Sequence, residues 1–291
     1  MQILLVSFFL IMLSACNKGD TNQGPEFDQP IKVTVNGYSG NLMEPFLSRD
    51  GNILLFNNLN SLPENTNLHW ATKINDTTFQ YKGEIAGVNT TELEGVPTLD
   101  NASNLYFVST RNYGTTFSSL YQCNFAAGTA TNVQIVNGVS KLQADWVNFD
   151  VEVSADGQTL YFVDGQFDQT GNPKIADFVI AKKNGLGFQR VLNSNEFMQN
   201  INTSALEYAA CISADELEFY FTRLQLPITA NSLPEIFIST RQSKNEAFGS
   251  PTKIQSITGF AEAPTISPDQ KTLYYHKKEN NFFVLYMVRK K

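Results

Sequence analysis

Five acidic residues, Glu44, Glu94, Asp150, Glu207 and Glu262, each stand a few residues ahead of an Asp-containing turn. The offset to that Asp is six residues for Glu44, Glu94 and Asp150, seven for Glu262 and eight for Glu207. Carboxylates repeated in this way gather on one face if the segments carrying them are copies of one another. Such a group suits a cation, a sugar or a basic peptide segment, and mutual repulsion raises some of the pKa values. The structural alternative is that each carboxylate accepts backbone N–H groups from its neighbour. Other chemistry is sparse. His69 and His276 lie on separate strands with no second ligand nearby in sequence, so they read as packed or surface imidazoles. Cys123 and Cys211 fall in different repeats and read as buried free thiols. Gly37-Tyr38-Ser39-Gly40 has the wrong spacing for a nucleophile elbow, and no phosphate-cradling glycine loop occurs. No catalytic residue, metal site or cofactor is assigned.

The elements that must position these acids come from an internal repeat. Each copy has an acidic residue, a short strand, a polar turn and a strand rich in Leu, Tyr and Phe. The copies close on Phe56, Phe107, Phe162, Phe221 and Tyr275, at intervals of 51, 55, 59 and 54 residues. A period near 50 suits one four-stranded propeller blade per copy. Asp50-Gly51 and Asp156-Gly157 supply left-handed backbone for tight turns, whereas Asn101-Ala102-Ser103 and Glu216 stand where that glycine is expected. Between copies lies a second strand pair, as in Leu120–Cys123 leading to Val133–Val136. The only helical stretch expected is a turn or two within residues 194–201. The fifth copy lacks an outer strand, and residues 27–37, from Phe27 to Gly37, mirror the outer strand starting at Phe248. The expected fold is therefore all-β: a five-bladed propeller of four-stranded antiparallel blades over residues 27–291. The N-terminal strand completes the last blade and leaves no bare sheet edge.

The phrases Ile266-Ser267-Pro268-Asp269 and Val153-Ser154-Ala155-Asp156-Gly157, each followed by a Leu-Tyr-rich strand, resemble the WD40-like repeats of TolB-type propellers. Such propellers serve as docking platforms for envelope proteins, so the resemblance implies a protein, peptide or glycan partner. Five-bladed glycosidases use carboxylates at the channel mouth as acid and base or nucleophile, which supplies the alternative of a carbohydrate-active enzyme. Trp70 and Trp146 would then stack on a sugar; otherwise they pack in or between blades.

Ile3 to Leu13 is an apolar run too short to span a bilayer, which takes about 20 residues. It is followed by Leu13-Ser14-Ala15-Cys16, which resembles the bacterial lipobox. The resemblance implies a signal peptide over residues 1–15, lipid on Cys16, and a flexible tether over residues 16–26. The protein is expected at the outer membrane, on its periplasmic face or at the cell surface, held only by that lipid. Hydrophobic residues make up 42% of the chain, enough for a sizeable core. The net charge of -7 argues against nucleic acid and against anionic headgroups as partners. A monomer is expected.

Overall fold

The computed structural model describes residues 24–60 and 66–291. The expected signal peptide, Cys16 and most of the tether lie outside the described residues. Among those described, no helix is long and apolar enough to cross a membrane.

The chain enters through two short strands, β1 (Ile31–Lys32) and β2 (Thr34–Asn36). A first meander follows as β3 (Met43–Leu47), β4 (Ile53–Asn57), β5 (Leu68–Asn75) and β6 (Thr78–Glu84). The second is β7 (Glu94–Leu99), β8 (Asn104–Ser109), β9 (Leu120–Ala126) and β10 (Thr129–Ile135), with the one-turn helix α1 (Tyr113–Thr116) between β8 and β9. The third contains β11 (Trp146–Val147), β12 (Val151–Val153), β13 (Thr159–Phe167), β14 (Pro173–Asn184) and β15 (Gly187–Arg190). Helix α2 (Ser194–Met198), in the stretch where a helical turn is expected, leads to the fourth meander. That one is β16 (Leu206–Ile212), β17 (Glu218–Leu224), β18 (Glu235–Thr240) and β19 (Thr252–Lys253). The fifth is β20 (Ala261–Ile266), β21 (Thr272–Glu279) and β22 (Phe282–Arg289). Strands within each meander pair antiparallel, and a single parallel contact, Ala176 with Leu206, joins the third to the fourth. The leading strands are neighbours in succession: β3 beside β7, then β12, β16 and β20, and β20 beside β3 again.

The N-terminal segment divides its allegiance. In β1, Ile31 lies opposite Met287 and Lys32 opposite Tyr286, antiparallel to β22. Val33 N–H still donates to the Leu285 carbonyl at 2.9 Å, and then β2 turns away to pair parallel with β6 of the first meander. The expected single outer strand is thus two short ones. The cause is burial: Val33 and Val35 share a core cluster with Leu285 and Met287 on one side and Phe79 on the other. Serving both sheets places more apolar surface out of water than serving one.

A repeated turn explains the repeated phrase. Ser48, Ser154, Ser213 and Ser267 donate to Asp50, Asp156, Asp215 and Asp269 at 2.5, 2.6, 2.6 and 2.5 Å. Each serine oxygen also accepts an N–H from the next strand, from Ile53, Thr159, Glu218 and Thr272, all at 2.9 Å. Gly51 and Gly157 adopt the left-handed backbone at φ +75° and +70°. Ser103, Glu216 and Gln270 do the same without glycine, at φ +62°, +59° and +59°, so the departures from the repeat leave the turn intact. For Glu216 the strain is met by bonds from Tyr161 Oη at 2.8 Å and Lys244 Nζ at 2.6 Å.

Candidate functional site

The leading strands carry the acids, and four of the five are kinked at the same place. Pairing slips between Met43 and Phe46, Gly95 and Thr98, Tyr208 and Cys211, and Glu262 and Thr265. At these bulges Glu44, Val96, Ala209 and Ala263 are left-handed, with φ of 45°, 53°, 55° and 54°. The turned-out N–H groups find side chains on neighbouring meanders. Glu44 N donates to His276 Nδ1 at 3.1 Å, Val96 N to Asn57 Oδ1 at 3.0 Å, and Ala263 N to Thr222 Oγ1 at 3.1 Å. Ala209 N donates to Asp150 Oδ2. Asn57, Thr222 and His276 each follow a closing aromatic of the repeat directly. Where that position is Val163, Asp150 supplies the acceptor instead.

The five predicted acids do not form one ring. Glu94 is fully buried, bonded by Thr90 Oγ1 and Ser109 Oγ, both at 2.8 Å, and ion-paired with Arg111 at 3.0 Å. Glu207 repeats the arrangement with Thr203 Oγ1 at 2.6 Å and Arg223 at 2.7 Å. Neither lines the cleft of the other three acids; both brace the loops that enter their strands. Glu44, Asp150 and Glu262 do converge, at one cleft of about 660 Å³. Its walls include half-buried Leu93, Phe149, Phe167 and Tyr208. The Phe149 ring sits 5.6 Å from Phe167 and 6.2 Å from Tyr208, centroid to centroid. Beneath lies a void of about 20 Å³, also touched by Glu44 and Asp150, with room for about one water.

Electrostatics at the cleft are set by burial. It pushes the Asp150 carboxyl well above its ordinary value; Glu44 adds to this, and the Ala209 and Ala210 amides pull the other way. Glu44 is raised for the same first reason, with Glu262 reinforcing and the Asn60 amide opposing. Repulsion among carboxylates, the expected cause, is real but second to desolvation. Because His276 Nδ1 accepts the Glu44 N–H, the bonding pattern assigns its ring proton to Nε2, which faces Glu262 Oε2 at 3.1 Å. Tyr208 Oη donates to the other Glu262 oxygen, and Asn60 Nδ2 donates to Glu44 at 2.7 Å. Burial and the Glu262 charge keep the Tyr208 hydroxyl firmly protonated.

His276, expected as a packed or surface imidazole, is fully buried beside the site and bonded to two of its acids, and Tyr208, which the sequence did not single out, lines it. The available signal was positional: Tyr208 adjoins Glu207, and His276 follows the closing Tyr275. His69 is buried elsewhere, stacked on Phe56 at 5.3 Å, with Nδ1 2.9 Å from Tyr81 Oη. Cys123 and Cys211 are free, buried thiols, and burial pushes Cys123 up to about 12. Trp70 packs against Phe125, and neither tryptophan lines the cleft. Among the described residues, no group of three or more His, Cys, Asp or Glu is arranged to hold a metal ion.

The opposite end of the leading strands is tied by Arg49, from the turn after β3. Its guanidinium reaches Glu152 at 2.8 Å, the Val153 carbonyl, and the Ile212 carbonyl at 3.4 Å. It therefore links the first meander to the third and fourth.

No protein-family model and no curated protein matches this sequence. Solved structures do match. A glycoside hydrolase superposes with a TM-score of 0.59 at 10% identity, with 92% of this protein and 92% of that one covered. Zg3597, a family 117 glycoside hydrolase produced by the marine bacterium Zobellia galactanivorans, gives 0.57 at 11% identity, covering 91% of this chain and 90% of that one. TolB from Acinetobacter baumannii gives 0.46 at 14% identity over 86% of this chain, which spans only 54% of TolB. At such identities the likeness concerns the fold alone, and that fold is an all-β one of the β-propeller kind.

Proposed function

We propose that this is a lipid-anchored binding propeller of the bacterial cell envelope, taking a protein, peptide or glycan ligand in the cleft of Glu44, Asp150 and Glu262. In this reading the five meanders are five blades, and the β1–β22 pairing completes the last of them. The observation that carries the proposal is the meeting of three carboxylates from three separate meanders at one open cleft. The comparable buried acids Glu94 and Glu207 are instead consumed by internal ion pairs. The lipobox-like Leu13-Ser14-Ala15-Cys16 supports the anchor. Cross-linking in intact envelopes tests the binding role. It should recover a specific partner that the Glu44→Gln, Asp150→Asn, Glu262→Gln triple variant loses, whereas an unspecific set of cross-links defeats the reading.

A second reading, glycoside hydrolysis, is favoured by the state of two cleft carboxyls. Glu44 and Asp150 have raised pKa values, as a general acid requires, and a further carboxylate, Glu262, lines the same cleft. Glycoside hydrolases among the similar folds add support. Screening the protein against a broad glycan panel decides it; inactivity throughout removes hydrolysis.

A further inference from the structure

The buried carboxylates of this protein are almost all neutralised from within. Glu94 pairs with Arg111 at 3.0 Å, Glu152 with Arg49 at 2.8 Å, Glu207 with Arg223 at 2.7 Å and Glu216 with Lys244 at 2.6 Å. Asp164 pairs with Arg190. Asp100, without a cation, collects three N–H donors at its turn. Among the described residues, the exceptions are Glu44 and Asp150. No Lys or Arg stands among the described residues lining their cleft. Asp150 is only 3% exposed, and while its Oδ2 accepts the Ala209 amide, its Oδ1 has no hydrogen-bond partner. A buried carboxylate oxygen left bare is costly, and the fold has avoided that cost elsewhere.

The cleft has the complementary shape for the missing charge. Its floor is acidic, with Glu262 beside Glu44 and Asp150, and its wall is apolar and aromatic through Leu93, Phe149 and Phe167. Aromatic faces attract cations, and more strongly where water is excluded. An anionic ligand would meet three carboxylates and no counter-charge. A neutral sugar would leave the electrostatic deficit in place.

We propose that the cleft binds a primary alkylammonium group, an –NH3+ on an unbranched apolar stem of the kind a lysine side chain carries. The stem lies along the Phe149–Phe167 wall, and the head donates to Glu44 and Glu262, with the uncompensated Asp150 carboxyl behind them. This rests on the reading of the cleft as the ligand site and adds the ligand's chemical class.

Calorimetric titration of the intact protein with four probes tests it: Nα-acetyl-lysine methylamide, cadaverine, Nα-acetyl-norleucine methylamide and a panel of neutral monosaccharides. The expected result is that the amines bind at least tenfold more tightly than the norleucine compound. The isosteric Glu44→Gln, Asp150→Asn variant should lose at least tenfold in amine affinity. Phe167→Leu, which leaves the acids untouched, should lose a few-fold. Preference for the lysine compound over cadaverine supports a peptide source, and the reverse supports a free amine. Equal binding of the norleucine and lysine compounds, or amine affinity unchanged in the double variant, overturns the proposal. Binding of neutral sugars alone, lost in the double variant, overturns the alkylammonium class but keeps the cleft as a ligand site. Failure of every probe counts against both.

Discussion

The imidazole of His276 holds the bulged amide of Glu44, with Nδ1 3.1 Å from the Glu44 nitrogen. Its other nitrogen faces Glu262, so one buried ring fixes the backbone under one cleft acid and the side chain of another. His276→Ala should orphan both partners at about 1–3 kcal/mol each, with a further cavity cost. His276→Asn can still offer an oxygen to the Glu44 amide, as Asn57 does for Val96, and should recover part of the loss. Urea midpoints of the two variants check this; equal losses would argue against the bulge bond.

Asp150 and Glu44 have carboxyls raised above their unfolded values, mainly by burial. A raised carboxyl stabilises the folded state below the unfolded pKa, and that contribution is lost as pH rises through the folded pKa. Stability should therefore decline as pH climbs from about 4 into the neutral range. Asp150→Asn, which mimics the protonated form, should raise Tm at neutral pH and flatten that decline. Melting curves across pH measure it. An unchanged slope would mean that Asp150 is ionised throughout.

Glu94 lies at full burial against Arg111. Glu94→Ala strands the guanidinium, and breaking such a pair from one side costs about 3–5 kcal/mol. Chemical denaturation should show that loss, with cleft ligands bound as before wherever the variant is folded.

Val33→Asp puts a charge into the seam between the last and first sheets, where Val33 is 5% exposed beside Leu285. The N-terminal segment should detach and leave the edge of β22 bare, a template for strand pairing with a second chain. Size-exclusion chromatography should then register larger oligomers or aggregates than the unmodified protein; an unaltered elution profile would contradict the seam's role.

Cys16→Ser should move the protein from the membrane fraction to the soluble one. Retention at the membrane would rule out lipid on Cys16 as the anchor.

Strand order was readable because the Ser-x-Asp turn and the closing aromatics recur with their own hydrogen bonds, a purely local signal. The bulges were not. Glu44, Val96 and Ala263 each precede a proline, a position that ordinarily favours extended backbone, so local rules pointed away from the left-handed turn found there. The separation of the acids had a signal that went unused. Thr90 precedes Glu94 by four residues, as Thr203 precedes Glu207, and each pair finds an arginine on the following strand or just past its end. Glu262 also has a threonine four residues ahead, Thr258, but the residue opposite it on the next strand is His276 and not an arginine, while Glu44 and Asp150 have Gly40 and Trp146 at the threonine position; these are the three that meet at the cleft.

Arg49 gives the cleft its polarity. The acids stand where the leading strands begin, and the guanidinium is bolted across three meanders where those strands end. On the proposed binding reading, a ligand entering among the acids meets this clamp and leaves by the side it came in. Residence time would then rest with the rim loops, and a long polymer would insert an end or a side branch without threading through.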